Sequence, residues 1–333
     1  MRIADRDFDR GRRSCKNSRG ANKPIVNTML ENPTTPIKIA IVGDVHDQWE
    51  TADEVALQHL GVDLVLFVGD FGNEAVELVG RLAALKLPKA AIFGNHDAWY
   101  TASDWGRSKS PYDPLLEDRV QQQIDLLGES CVGYGKLDFP QFNLSVIGSR
   151  PFSWGGPKWK YSDFYEARFG IDSFEASTQR IVENASQSTC EHLIIIGHNG
   201  PTGLGEDPES ICGKDWGETV IGGDYGDPDL FDAIAILKSQ GKSIPLVTFG
   251  HMHHRLRHTK ERLRQPIVVH PDGTIYLNSA RCPRILSTIE RTVRNFSLVT
   301  LLDGKVTQAG LVWMTEDFQV GLEEVYWQLP AAI

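Results

Sequence analysis

Residues 37–44 read IKIAIVGD, an apolar run rich in β-branched residues that stops at a glycine and a carboxylate. Such a run predicts a buried strand that ends in a turn. The same pattern returns at 64–70, LVLFVGD, and at 90–97, AAIFGNHD. Helical patterns occupy the intervals, at 50–60 and at 73–86. Units of about 25 residues in this order predict β-α-β folding, in which a right-handed crossover returns each strand to the same edge of a parallel sheet.

Two later runs end in the same way, LIIIGHNGP at 193–201 and LVTFGHMHH at 246–254. Periodicity also predicts a short strand at 144–147 and helices near 115–127 and 228–239. In open α/β sheets, ligands bind in the crevice beyond the carboxyl ends of the strands. Chemistry is therefore expected where these five strand ends place their polar residues.

The last eighty or so residues favour antiparallel pairing. Turn signals, PDG at 271–273 and DG at 303–304, separate short runs of β-type residues. The runs lie at 267–269, 274–277, 296–302 and 306–313. The chain is thus predicted to be a mixed α/β protein with hairpins at its end.

The formal net charge of −10 is unevenly distributed along the chain. Residues 1–28 hold eight Lys and Arg against three Asp, whereas the remainder sums to −15. An acidic body repels a polyphosphate backbone, so duplex nucleic acid is not an expected partner, and a nuclease is disfavoured.

The basic segment 1–36 is expected to be disordered. Its three Asp residues argue against an organellar targeting segment, which would imply a stromal location, because such segments are poor in acids. A start of translation at Met29 is the other alternative. No apolar stretch reaches the roughly 20 residues that a membrane span needs, so a membrane is not an expected partner. Five widely spaced cysteines without a C-x-x-C pair favour a reducing, cytoplasmic setting.

Seven residues at the predicted strand ends carry side chains that can bind metals. They are Asp44, His46, Asp70, Asn95, His198, His251 and His253. Carboxylate, imidazole and amide donors without a thiolate suit Mn, Fe or Zn. Because four ligands suffice for one ion, seven predict two divalent ions with a carboxylate such as Asp70 as the bridge. Two ions about 3.5 to 4 Å apart can activate a bridging hydroxide and stabilise both the attacking and the leaving oxygen at phosphorus.

Each motif alone is weak, since a glycine and an aspartate after a strand are a common turn. As an ordered set, however, GDVHD, GDFGNE, GNHD, GHNGP and GHMHH resemble the five-part signature of the calcineurin-like metallophosphoesterase superfamily. The resemblance covers residues 37 to about 280, and the motifs are also similar to those of a subgroup found in cyanobacteria and plastids. It implies an α/β fold, a four-layer α/β/β/α sandwich with two central mixed β-sheets, as in metallo-dependent phosphatases.

The resemblance also implies how the ligands divide between two ions. One ion would be held by Asp44, His46, Asp70 and His253, and the other by Asp70, Asn95, His198 and His251. His96 would lie beside the ions without binding them. It would stabilise the phosphoryl oxygens of the transition state or protonate the leaving group, with Asp97 orienting its ring. The residues alone agree, since a histidine of near-neutral pKa followed by a carboxylate can act as a general acid.

Departures from one branch of the superfamily bear on the substrate. Protein Ser/Thr phosphatases there usually read GDxVDRG and GNHE, whereas this chain has GDFGNE at 69–74 and GNHD at 94–97. A small phosphomonoester, phosphodiester or nucleotide is therefore the expected substrate. The main alternative is a catalytically silent binding or scaffold protein of the same fold, against which the complete ligand set and the retained His96 both weigh.

Three segments leave alternatives open within the single domain that we expect at 37–325, which carries an aromatic-rich insertion near 150–190. The rings of 152–169 either stack a planar leaving group or pack the insertion onto the main body. Acidic residues of the loop 203–226 either orient ligating histidines or face solvent. The pair at 254–255, His and Arg, either reaches a phosphate or has no part in binding.

Overall fold

The computed structural model describes residues 35–114, 116–217, 221–259 and 261–330. The disorder predicted for the N-terminal segment falls almost entirely outside these residues. The strands are β1 (Ile37–Val42), β2 (Leu64–Phe67), β3 (Lys89–Ala91), β4 (Lys136–Phe139), β5 (Leu144–Gly148), β6 (His192–Ile196), β7 (Ser243–Phe249), β8 (Ile267–Val269), β9 (Ile275–Asn278), β10 (Ile285–Ser287), β11 (Thr292–Leu302), β12 (Lys305–Met314) and β13 (Val320–Gln328). The helices are α1 (Thr51–His59), α2 (Val76–Ala84), α3 (Asp104–Arg107), α4 (Arg119–Leu127), α5 (Ser162–Phe169), α6 (Phe174–Ser186) and α7 (Pro228–Ser239).

The strands form two mixed sheets. The first has the order β13-β12-β11-β1-β2-β3, with β10 beside β11, and the second has the order β4-β5-β6-β7-β9-β8. Neighbours β1, β2 and β3 run parallel, as do β5, β6, β7 and β9. Each of the outer strands pairs antiparallel with its neighbour. Short β-α-β connections account for the parallel centre of the first sheet, as the spacing of the sequence predicts. In the second sheet, longer connections with helices join β5 to β6 and β6 to β7.

Alternation along the strands explains why the two sheets stack. Successive side chains of a strand point to opposite faces, so an all-apolar strand has two buried faces. Ile39 of β1 and Leu66 of β2 share one core cluster with Ile194 of β6. Their neighbours Ala40 and Ile195 belong instead to the cluster that includes the helices. One core therefore lies between the sheets, and the other joins their outer faces to flanking helices, which confirms the four-layer α/β/β/α sandwich.

Five motif-bearing loops follow β1, β2, β3, β6 and β7, which belong to two different sheets. The first three strand ends lie at one edge of a sheet, as predicted, whereas the other two belong to the second sheet. The stacking of two sheets brings two such edges together, and the motif residues meet where the edges adjoin.

The expectation for the last eighty residues is only partly confirmed. Strands β11, β12 and β13 form the antiparallel meander, with the predicted turn at 303–304. Strand β9 pairs antiparallel with β8 across the predicted turn at 271–273. On its other side, however, β9 pairs parallel with β7, a long-range pairing that the turn does not determine. Among the described residues, no helix combines the length and the apolar character needed to cross a bilayer.

The core between the sheets predicts a stability effect. Ile194 is fully buried there, and replacing it with alanine removes apolar contacts and leaves a cavity. We expect Ile194→Ala to lower the free energy of unfolding by about 2 to 5 kcal/mol, measured by chemical denaturation. The matched control is Ile236→Ala on α7, where the side chain is 38% exposed and the expected loss is about 0.5 kcal/mol or less. Equal losses would contradict the placement of this core.

Candidate metal centre

Four of the seven candidate ligands sit on left-handed backbone. The φ angles are 49° at Asp44, 43° at His46, 54° at Asp70 and 65° at His251. Residues other than glycine rarely adopt this conformation, which costs of order 1 to 3 kcal/mol and is concentrated at functional sites. The turns that end β1, β2 and β7 are therefore held in the conformation that points these side chains inward.

The glycines of the motifs allow the loops to approach each other closely. A Cβ at Gly94 would overlap the Asp70 carboxylate and the His198 ring. A Cβ at Gly250 would overlap the carboxylate of Asp44. These positions need glycine because another loop fills the space that a side chain would take.

Asp44, His46 and His253 form one group of donors. Asp44 is 1% exposed, and its Oδ2 accepts the backbone N–H of His251 at 3.0 Å. Its Oδ1 lies 3.2 Å from Nε2 of His253. The geometry of that contact is not that of a hydrogen bond, and this buried oxygen has no donor among the described residues. The Nε2 atoms of His46 and His253 approach to 3.2 Å.

Asp70, Asn95, His198 and His251 form the adjoining group. Nε2 of His198 lies 3.2 Å from Asp70 Oδ1, 3.0 Å from Asn95 Oδ1 and 3.2 Å from Nδ1 of His251. The other carboxylate oxygen of Asp70 lies 3.9 Å from His46 in the first group. Asp70 thus faces both groups, and the structure brings all seven candidate ligands together.

A backbone carbonyl group fixes the orientation of the His198 ring. Its Nδ1 lies 2.8 Å from the carbonyl oxygen of Val68, so Nδ1–H donates to the backbone and Nε2 faces Asp70. Burial alone would lower the pKa of His198, but the charges of Asp70 and Asp44 outweigh it and raise the pKa to about 9. Burial lowers the pKa of His251 to about 3. One protonated histidine thus offsets part of the carboxylate charge when no cation is bound.

These residues fit a bound metal. Nitrogen atoms of His46 and His253 converge at 3.2 Å, which satisfies at most one N–H donor between two rings. The orphaned oxygen of Asp44 lies in the same space. Donor atoms of Asp44, His46 and His253 lie within 4.8 Å of one another, as do those of Asp70, His198 and His251. Converging lone pairs of this kind suit a divalent cation with mixed nitrogen and oxygen ligands.

His96 lies beside these groups, and its ring has a partner that the sequence did not suggest. Nδ1 of His96 is 2.6 Å from Oδ1 of Asn73, while Nε2 is 3.9 Å from Asp70. Burial lowers the pKa of His96, although the charge of Asp70 opposes this. The ring also stacks on Trp99, with centroids 4.4 Å apart.

The orienting role predicted for Asp97 was wrong. Its carboxylate accepts the backbone N–H groups of Asp70, Phe71 and Gly94 at 2.7 to 3.0 Å. Among the described residues it makes no contact with the His96 ring. Asp97 therefore ties the second motif loop to the third and acts on His96 only through the backbone.

The two groups of candidate ligands open into a cleft of about 380 Å³. Its walls combine aromatic rings with cationic side chains. They include Trp99, Trp154, Trp216, Tyr225, Lys160, Arg255 and Arg257. Trp99 and Trp154 stack at 5.2 Å, and Arg257 lies over the ring of Trp216 at 5.6 Å. The cleft thus offers flat apolar walls and positive charge next to the two groups of candidate ligands.

The structure distinguishes the alternatives that the sequence left open for three segments. In the insertion, Phe164 and Tyr165 are buried in the core, so these rings pack, while Trp154 faces the cleft. In the loop after motif four, Asp224 accepts donors from its own loop, among them the N–H of Gly226, and does not contact a candidate ligand. His254 is buried against the carbonyl of Asn278 at 3.1 Å, so only Arg255 of that pair reaches the cleft.

The sequence of residues 37–255 matches the family described as calcineurin-like phosphoesterase. This match spans well over half of the chain and includes all seven candidate ligands. The chain therefore belongs to the calcineurin-like phosphoesterase family. A comparison with curated proteins finds no match.

Solved structures with a similar fold share little sequence with the chain. A dimetal phosphatase from Danio rerio has 11% identity and a TM-score of 0.45, with 87% of this chain and 99% of that chain covered. GAP50, described as an anchor in the inner membrane complex of Plasmodium, has 10% identity and a TM-score of 0.43, with 89% and 90% covered. A metallophosphoesterase from Sphaerobacter thermophilus has 14% identity and a TM-score of 0.32, with 80% and 84% covered. Because these likenesses are distant, membership of the family rests on the sequence match.

The close approach at Gly94 predicts a selective loss of metal binding. In Gly94→Ala the new methyl group displaces the Asp70 carboxylate and the His198 ring, so we expect fewer divalent ions per chain, measured by calorimetry and elemental analysis. The matched control is Gly80→Ala within α2, where the added methyl group would meet only Leu126, at 3.9 Å. That variant should bind ions like the parent and gain about 0.5 to 1 kcal/mol of stability from reduced backbone entropy. Unchanged metal content in Gly94→Ala would contradict the described packing of the loops.

Proposed function

We propose that the chain is a metal-dependent hydrolase of a small phosphomonoester, phosphodiester or nucleotide, with a dinuclear centre. The observation that supports this most directly is the position of Asp70. Its two carboxylate oxygens face two groups of donors, one containing His46 and the other containing His198 and His251. A carboxylate shared in this way is what a bridged pair of ions requires.

These contacts support the ligand division that the family resemblance implies. Asp44, His46, Asp70 and His253 would hold one ion, and Asp70, Asn95, His198 and His251 would hold the other. When bound, such ions lower the pKa of water and polarise the phosphoryl oxygens. The left-handed turns and the Val68 carbonyl hold the ligands in place beforehand, so little reorganisation is needed during the reaction.

His96 supplies a donor at the edge of the centre. Asn73 holds Nδ1 and Trp99 holds the face of the ring, which leaves Nε2 directed toward Asp70. Because Nδ1–H donates to Asn73 Oδ1, Nε2 carries a proton only when the ring is protonated. In that form Nε2–H donates to a phosphoryl oxygen or passes its proton to the leaving oxygen. Both roles need the same ring orientation, so Asn73 is a positioning residue for either.

The cleft supports a small substrate. A space of about 380 Å³ is comparable to an ordinary small-molecule site. Arg255 and Arg257 add positive charge for a second anionic group, in a body that is otherwise acidic. Trp154 and Trp216 offer flat faces, and stacking a base on such a ring is worth about 1 to 3 kcal/mol. A planar leaving group, as in a nucleotide or an aryl ester, fits these walls.

The catalytically silent alternative would keep the fold without turnover. The site contains no substitution at a motif position that would explain a loss of activity, since all seven ligand candidates and His96 converge. The hydrolase is therefore the function that the geometry supports best.

Turnover by metal-loaded protein tests the proposal. Metal-stripped protein is titrated separately with Mn²⁺, Zn²⁺ and Fe²⁺ and assayed on a p-nitrophenyl monoester, the corresponding diester and nucleotides. We expect turnover to be restored by at least one ion and removed again by a chelator. Binding of two ions per chain without turnover of any of these esters would favour the silent protein.

Variants at His96 test the assigned donor. We expect His96→Ala to lower kcat by about 10² to 10⁴, the usual effect of losing an acid-base group, with metal content and KM close to those of the parent. Asn73→Ala should lower kcat less, because the ring remains but is free to turn. His59→Ala, an exposed histidine at the end of α1, is the control and should match the parent. Parent-like kcat in His96→Ala would remove His96 from the mechanism.

A further inference from the structure

A cysteine lies beside the first group of candidate ligands. Cys282 follows β9, and β9 runs parallel to β7, so both strands end at the same edge of their sheet. Sγ of Cys282 is 3.2 Å from the backbone carbonyl oxygen of Asp44. Its sulfur and the donor atoms of Asp44, His46 and His253 all lie within 4.8 Å of one another.

A second observation shows that the same space is built for a ligand. Oδ1 of Asp44 is buried and has no hydrogen-bond donor among the described residues, although the residue is only 1% exposed. A buried acceptor left in this state is costly unless another group or an ion completes it. The orphaned oxygen and the thiol therefore belong to one incomplete set of donors.

The distances between these four donor atoms suit a single bound ion. Bonds from zinc are about 2.3 Å to sulfur and about 2.0 to 2.2 Å to nitrogen or oxygen. In the tetrahedral geometry usual for zinc, these bonds place two ligand atoms of one ion about 3.3 to 3.6 Å apart. Asp44, His46 and His253 are already spaced at 3.2 to 3.9 Å. The sulfur lies within 4.8 Å of all three, so a small approach of the thiol completes the set. In the adjoining group, the donors within reach are Asp70, His198 and His251, without a sulfur atom among the described residues.

We infer that Cys282 is a thiolate ligand of the ion held by Asp44, His46 and His253. The inference rests on the metal centre of the proposed function and adds a sulfur donor to it. When the sulfur–metal bond forms, the thiol proton passes to solvent, so one proton is released at this residue for each ion bound. Sulfur favours zinc over manganese, so the two positions of the centre differ in the ions that they prefer.

A purely structural role makes a different prediction. In that case the thiol only donates to the Asp44 carbonyl and helps to hold the loop after β9. Cys282→Ser would preserve such a hydrogen bond, since a hydroxyl is also a donor. Serine, however, replaces the soft sulfur by a poor ligand, so the same substitution separates the two roles.

Cobalt spectroscopy reads the ligand directly and does not depend on turnover. Metal-stripped full-length protein is titrated with Co²⁺, whose visible bands report binding by any ligands and whose near-ultraviolet charge-transfer band reports bonded sulfur. We expect the parent to show both signals and Cys282→Ser to keep the visible bands but lose the charge-transfer band. Cys190→Ser is the matched control, because Cys190 precedes β6 at its amino end, away from the motif loops. It should give the parent spectrum.

The outcomes separate this inference from the proposed function. Visible bands without a charge-transfer band in the parent would leave the metal centre in place and remove Cys282 from it. A charge-transfer band that survives in Cys282→Ser would have the same meaning. Absence of all cobalt signals in the parent would remove the metal centre and the inference together. Because the parent spectrum alone decides the first point, the test holds even if the serine variant fails to fold.

Ion preference gives a second measurement. Cys282→Ser should weaken zinc binding about tenfold or more, a loss of the size seen when groups around a metal are removed. The affinity for Mn²⁺ should change much less, since manganese has little preference for sulfur. Equal losses for both ions, measured by competition with a chelator, would indicate a general disturbance of the loop and contradict a sulfur bond.

Discussion

The structure depends on how the charges of two buried carboxylates are balanced. Asp44 and Asp70 are 1% and 2% exposed, and among the described residues their ion pairs involve histidines and neither Lys nor Arg. Buried charges are costly unless they are paired or coordinate metals. The compensating charge must therefore come from protonated histidines or from cations. His198, whose pKa is raised to about 9, and His253, whose pKa is raised by Asp44, can play the first role until cations are bound.

The rest of the fold makes this arrangement possible. Stacked sheets bring two strand edges together, left-handed turns aim the side chains inward, and Gly94 and Gly250 let neighbouring loops come within reach. Asp97 ties two of the loops by accepting three backbone N–H groups. The apolar core between the sheets is what holds these strained turns against each other, since turns in such conformations persist only when their surroundings determine them.

Local patterns in the sequence predicted much of this structure. Apolar runs that end in Gly-Asp, Gly-Asn or Gly-His located five strand ends, and the structure brings their polar residues together. The turn at 271–273 joins β9 to β8 but could not reveal that β9 also pairs with the distant β7, and Cys282 escaped notice for that reason. Asn73 was missed and Asp97 was misjudged because the contacts of His96 depend on how the third motif loop turns, which adjacency in sequence does not determine. The ligand roles themselves stay a prediction.

The claim that Asp70 is shared by two ions is tested most directly by electron paramagnetic resonance of protein loaded with two equivalents of Mn²⁺. Ions bridged by one carboxylate lie about 3.5 to 4 Å apart and couple magnetically. The account predicts the spectrum of an exchange-coupled pair. A spectrum of isolated ions only, at full loading, would show that the two groups of ligands act separately and would contradict the shared carboxylate.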